Sequence, residues 1–201
     1  AAPYRTLPRS AFDAVLDMLA GRFPATAQRA LVSLVLLLVV GFLIGVIVGV
    51  LEHRRRARRI TDAFTPVSSR IGAMPEYVTG TLLGFVFALT LGWFPVQGGP
   101  GIGIVLPALA VSLAPMAILA RLVRNETIAV LGLDFMQVAV SKRLTTTRIV
   151  ARPLVPNVMT STLTLGGLIL VSVLGGTVIV ENVFNIAGVG QSTAALARLK
   201  Q

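Results

Sequence analysis

The chain has 201 residues, 55% of them hydrophobic and only 13% charged, with a mean hydropathy of +0.84. Soluble domains carry roughly 25% charged residues, and one of this size cannot bury so much apolar surface, so a bilayer is the expected solvent. The net charge of +10 is gathered at the ends of apolar runs, the positive-inside pattern, which argues against a nucleic-acid-binding face.

The chain opens on a polar stretch, and Ser10-Ala11-Phe12-Asp13 has the form of a capping box. Phe12, Val15, Leu16 and Leu19 then recur on one face, which predicts a short amphipathic helix over 10–19, lying on the outer surface within a segment 1–29. A first membrane-length run follows from Ala30 to Leu51. It carries Gly41, Gly45 and Gly49 at four-residue spacing, a stripe that lets another helix approach closely. Packing within one subunit is the expected use of that stripe, ahead of self-dimerisation. The chain's lone histidine, His53, stands in the run Glu52-His53-Arg54-Arg55-Arg56 and is expected to be a solvated loop residue.

A second run is predicted over 71–94, with Glu76 just after Pro75 near its start and Trp93 and Phe94 as interfacial anchors at its end. A carboxylate there is either an interfacial residue or a pathway residue. A third run, 102–122, contains Pro107 and Pro115, which predicts two kinks in a helix lining a cavity. A fourth, 155–180, leads into an outer loop over 181–201 in which Glu181 to Gly190 packs at the mouth. Each run must be helical, because lipid offers no partner to an open backbone N–H or C=O. The fold class expected is therefore an all-α integral membrane protein, a helical bundle with four visible spans.

Arginines crowd the connections 52–70 and 121–153, whereas 93–103 has neither Lys nor Arg. The two basic loops are thus cytoplasmic and both chain ends external. The second basic loop is long enough to hold structure of its own. Asp134 starts one short helical pattern and Thr145 caps another that ends at Pro153, making a knob decorated by Lys142, Arg143 and Arg148. Such a knob either seats in a groove of a soluble subunit or merely sets topology.

There is no cysteine, so disulfides, thiolate metal sites and a cysteine nucleophile are excluded, and no metal site is expected. No Gly-x-x-x-x-Gly-Lys-Ser/Thr occurs, so the chain is not expected to bind ATP through a P-loop or to be an enzyme by itself. With acidic residues scarce in the spans, the alternative to an energised transporter subunit is a passive channel or a membrane-anchored adaptor without ATP coupling.

Several stretches resemble the permease subunits of ATP-binding-cassette importers, in the dipeptide/oligopeptide/nickel branch. They are Arg22-Phe23-Pro24-Ala25-Thr26; Leu106-Pro107-Ala108-Leu109 with Ala120-Arg121-Leu122-Val123-Arg124 and Val130-Leu131; Asp134-Phe135 with Ala139, Lys142, Leu144 and Asn157; and Gly175 through Phe184 followed by Gly188-Val189-Gly190. Arg143, Pro153 and Ala187 depart from the pattern, standing where the branch has Gly, His and Pro. The resemblance implies that Gln137, Ala139, Lys142, Arg143, Leu144, Thr145 and Arg148 couple to an ATPase. It implies an outer gate or binding-protein contact at Glu181, Asn182, Phe184, Gly188 and Gly190, and makes Pro107, Pro115 and Glu76 possible pathway residues. It further implies six spans in a whole subunit, a second homologous permease, two cytoplasmic ATPases holding ATP and Mg, and an extracytoplasmic solute-binding protein. This chain would have no cofactor of its own, would sit in a bacterial inner membrane, and would pass small solutes, peptides by family frequency.

Overall fold

The computed structural model describes residues 9–96, 101–136, 146–184 and 186, and all regular structure among them is helical. Helix α1 runs without interruption from Arg9 to His53. The separate amphipathic helix expected at 10–19 is instead the first part of this long rod. Nothing between Ala20 and Ala30 forces a break: Pro24 removes one backbone donor, and the alanines around it are the strongest helix formers. The part of α1 long and apolar enough to cross a membrane is Thr26–His53.

The expected basic loop after it is mostly helix. A tight turn at 54–57, with Arg55 and Ala57 at φ 53°, leads into α2, Arg58–Gly72. Helix α2 is amphipathic and buries Thr61 and Ser68. It ends before Pro75, whose extended backbone (φ −61°, ψ 140°) caps α3, Glu76–Leu83. Helix α3 then widens into a π-helical stretch, Gly84–Thr90. The second span expected over 71–94 is therefore broken: α2 and the 76–90 segment meet at 100°. Pro75 is the physical reason, since it cannot donate to the turn before it and holds Met74 away from helical geometry.

A 3₁₀ turn, Gly101–Ile104, opens α4, Val105–Leu131. This helix passes the limit expected for the third span by more than two turns, so the cytoplasmic segment expected from Arg121 starts later. Pro107 lies in its first turn, where the N–H has no helical partner to lose, so only Pro115 stands in the helix interior. Of the two expected kink sites, one is thereby removed.

A helical turn at 134–136 leads out of the described residues. Helix α5, Thr146–Ile149, passes through a π-helical stretch, Val150–Leu154, into α6, Val155–Val183. The expected stop at Pro153 is absent because the wider turns accommodate its missing donor; the amide of Asn157 donates to the Pro153 carbonyl at 2.6 Å. Helix α6 extends beyond 180, so Glu181 belongs to the helix and not to a loop.

Among the described residues, two helices are long and apolar enough to cross a membrane, Thr26–His53 and Gly101–Leu131, or three if the bent α2–α3 pair counts as one. Within α6 a shorter apolar helix, Val171–Glu181, is recognised. The bundle is built around α4, which packs most extensively on α1 and also on α6, α2 and α3. Leu37, Leu106, Val111, Leu119, Val123, Leu154, Val158 and Val173 form its fully buried centre.

Candidate functional site

Three contacts fix how the helices can move against one another. The first is the seam between α1 and α4. Gly41 faces Met116 and Leu119, Gly45 faces Ala120 and Val123, and Gly49 faces Arg124 and Thr127. Each four-residue step on α1 is matched by four on α4, so the helices run parallel in a fixed register. A Cβ at Gly45 would lie 2.6 Å from Val123 Cβ and 2.7 Å from the Ala120 carbonyl oxygen; at Gly49 it would lie 2.7 Å from Thr127 Cβ. Only glycine permits so close an approach, as in small-xxx-small pairs of membrane helices. The stripe is used within the subunit, as the sequence suggested.

The seam ends in an ion pair. Arg124 donates through Nε to Glu52 Oε2 at 2.6 Å and through Nη2 to Oε1 at 2.5 Å, a two-pronged bond between α4 and the end of α1. A turn earlier on α4, Arg121 Nη1 donates to Ser69 Oγ of α2 at 2.8 Å. Both arginines of the Arg-x-x-Arg pair thus bind helices on their own chain. Because Arg124 and Glu52 are partly solvated, the pair is worth no more than about 1 kcal/mol. Arg124→Lys, which keeps the charge but loses the fork, is expected to lower stability by about that amount, with the loss shrinking at high salt. A thermal-unfolding series in increasing NaCl checks this.

The second contact is a buried clasp at the opposite end. Glu181 is 1% exposed. Its Oε1 accepts from Thr26 Oγ1 at 2.6 Å and from Arg29 Nη1 at 3.2 Å, tying α6 to α1. A void of about 10 Å³, at the lower limit for one water, adjoins it between Ser33, Pro107, Val111 and Thr177. Pro107 is thus placed beside Glu181, while Pro115 is half-buried in mid-helix. Phe184, one turn on, is buried against Gly80 of α3 and Gly84 at the start of the π-helical stretch. Neither Glu181 nor Phe184 is presented to the outside. The backbone of Asn182 belongs to α6; Gly188 and Gly190 lie outside the described residues.

The third contact involves Glu76, the first residue of α3. It sits at the break, and its carboxylate rests on Gly176 of α6, where any Cβ would collide with it. The break falls beside the middle of α4, since Gly72 faces Ile118 and Gly80 faces Ala110. The carboxylate therefore lies deeper than the sequence suggested.

Of the expected coupling residues, Gln137, Ala139, Lys142, Arg143, Leu144 and Thr145 lie outside the described residues, and Arg148 is exposed on α5. Met136 and Ile149, which flank the segment, are buried and hold its two ends to the bundle. Sequence reasoning missed Thr26 and Arg29 as partners of Glu181, and missed the Gly80/Gly84 notch. The notch had a signal, the same four-residue glycine spacing as in the first span. Arg29 had a weaker one, a lone cation at the edge of an apolar run.

Residues 41–199 match a family described as binding-protein-dependent transport system inner membrane component. The chain is 32% identical over 177 residues to the dipeptide transport system permease protein DppB of Lactococcus lactis subsp. cremoris, covering 88% of this chain and 57% of that protein. It is 31% identical over 181 residues to the oligopeptide transport system permease protein OppB of Salmonella typhimurium, covering 88% and 58% respectively. To the glutathione transport system permease protein GsiC of Escherichia coli K12 it is 33% identical over 179 residues, covering 88% and 57%. The chain thus spans less than two thirds of the length of these relatives.

Proposed function

Because the chain belongs to the family of binding-protein-dependent transport system inner membrane components, we propose that it is a permease subunit of an ATP-binding-cassette importer of the bacterial inner membrane. It forms half of the translocation pathway for a small solute, peptides before other classes. The observation that carries this reading is the family match across 41–199, joined to the names of its relatives, which are dipeptide, oligopeptide and glutathione permeases. A second permease, two cytoplasmic ATPases supplying ATP and Mg, and an extracytoplasmic binding protein complete the machine.

The segment 134–152 is its docking knob, with Gln137, Ala139, Lys142, Arg143, Leu144, Thr145 and Arg148 against the ATPase. The basic connections face the cytoplasm, so the Thr26–Arg29–Glu181 clasp is at the outer end and serves as an outer gate that opens when ATP draws the ATPases together. A rigid-body push on the knob reaches the gate through the π-helical stretch 150–154 and α6, which follows it to Glu181. Pro107, beside the clasp, and Glu76, at the α2–α3 break, line the pathway with Pro115.

Affinity purification of the subunit in mild detergent, followed by mass spectrometry, tests the assembly. Two P-loop ATPases and a sibling permease are expected. Recovery of the chain alone, in a form that still conducts, would replace this reading with a passive channel. The knob has its own test. A cysteine at Lys142 or Arg148 is expected to crosslink to the ATPase in at least one nucleotide state, and failure in all of them would move the docking site elsewhere.

A further inference from the structure

The turn between α1 and α2 carries charge that neither the seam, the clasp nor the knob uses. Arginine fills five of the six positions from Arg54 to Arg59, and all five are exposed. Helix α2 continues this surface with an apolar strip. Ile60 is 59% exposed and Val67 49%, and with Ala63 they fall on one side of the helix, adjoining the buried Thr61–Ser68 face. Arg59 and Arg70, both exposed, border the strip on its other side.

The depth of this surface follows from its ties. Gly101 to Arg121 is about 30 Å of helix, the thickness of the hydrocarbon core of a bilayer. With Gly101 placed at one edge of that core, Arg121, which holds Ser69 of α2, comes to the other. Helix α2 meets the α3 segment at 100°, so it lies across the bundle there rather than along it. A helix at that level, with an uncovered apolar strip and arginines along its border, matches a helix lying in the membrane interface: the strip rests in acyl chains and the guanidinium groups reach phosphates.

We propose that the Arg54–Arg59 turn and α2 form a binding site for anionic phospholipid headgroups. A lipid surface fits better than a protein partner. A lipid satisfies the exposed apolar strip and the bordering arginines together, one through its acyl chains and the other through its headgroup. Net negative headgroups are selected over zwitterionic ones because Arg55, Arg56 and Arg59 bring three positive charges within five residues. Arg58 has only a loose, solvated contact with Asp62, at 3.9 Å.

The test is lipid retention by the intact, assembled complex, which needs no transport assay. The complex is reconstituted in nanodiscs of phosphatidylcholine with and without phosphatidylglycerol, released into the mass spectrometer, and its bound lipids counted. Retention of phosphatidylglycerol over phosphatidylcholine is expected, falling about fivefold for each arginine neutralised in the series from Arg55→Gln to Arg55→Gln/Arg56→Gln/Arg59→Gln. The triple lysine variant, which keeps both charge and topology, is expected to retain the preference. Ile60→Ser is expected to weaken retention of both lipids. An unchanged preference in the triple glutamine variant would overturn the site. So would a triple variant that sheds its ATPases while keeping its lipids, which would assign the arginines to a protein surface. Failure of the glutamine variant to assemble leaves the lysine and Ile60 variants to decide: loss of preference with lysine, or unchanged retention with serine, sinks the proposal.

Discussion

Arg29→Ala is expected to destabilise the protein by about 3–5 kcal/mol, because it takes a guanidinium away from a carboxylate that is 1% exposed. Desolvation is what makes the effect large. In water the pair would be worth a fraction of a kcal/mol; at 1% exposure the carboxylate is withdrawn from bulk solvent. The Thr26 hydroxyl still donates to the carboxylate but cannot neutralise it. Glu181→Gln removes the charge and keeps an acceptor for Thr26, so a smaller loss is expected. The variant that separates stability from function is the double one, Arg29→Met with Glu181→Met. Replacing a buried pair by apolar groups of similar volume is close to neutral for folding. Thermal stability near that of the natural protein is expected and, on the proposed role of the clasp as an outer gate, uptake into proteoliposomes that no longer depends on ATP hydrolysis. Normal coupled uptake in a stable double variant would show that the clasp is only a brace.

The second large effect is at Gly45. Alanine there places its Cβ 2.6 Å from Val123 Cβ and 2.7 Å from the Ala120 carbonyl oxygen, and the latter is backbone that cannot rotate away. The helices must separate, at about 1–3 kcal/mol of overpacking, offset only partly by the better helix propensity of alanine. Gly45→Leu is expected to abolish a monodisperse peak in detergent chromatography altogether. Gly21→Ala is the control. It lies on the same helix with nothing within 4 Å of a Cβ, and is expected to leave stability unchanged or raise it by up to about 1 kcal/mol. Equal unfolding temperatures for Gly45→Ala and Gly21→Ala would mean that the seam is not the tight contact described.

These sites were unequally legible in the chain. The Gly41–Gly45–Gly49 stripe is a local, periodic signal, and its partner face on α4 is supplied by geometry once the helices are parallel. The apolar runs that became α1 and α4 are as plain, because lipid leaves a helix no alternative. The break at Pro75 was harder: hydropathy averaged over a span-length window passes across a proline, and only the backbone shows a 100° turn there. The union of 10–19 with the first span is not legible in periodicity, because the polar stretch between them interrupts the apolar face while the helix runs on through Pro24. Glu181 was singled out, but its partners Thr26 and Arg29 stand 155 and 152 positions away, and no spacing rule reaches so far. The coupling residues 137–145 lie outside the described residues.

The long first helix and its glycine seam together make a lever. The tightest point of contact, Gly45, is the fulcrum. From there about 12 Å of α1 extends to His53 and about 54 Å to Arg9. The arms stand at roughly one to four and a half, so a tilt that shifts the Glu52–Arg124 end by about 1 Å carries the far tip through about 4–5 Å. Pro24, in the long arm, is the one place where that rod lacks an internal donor and can flex. A tilt at the short arm is therefore met about 24–29 Å along the long one, where Thr26 and Arg29 are tied to Glu181, so the clasp takes up the movement before it reaches the tip.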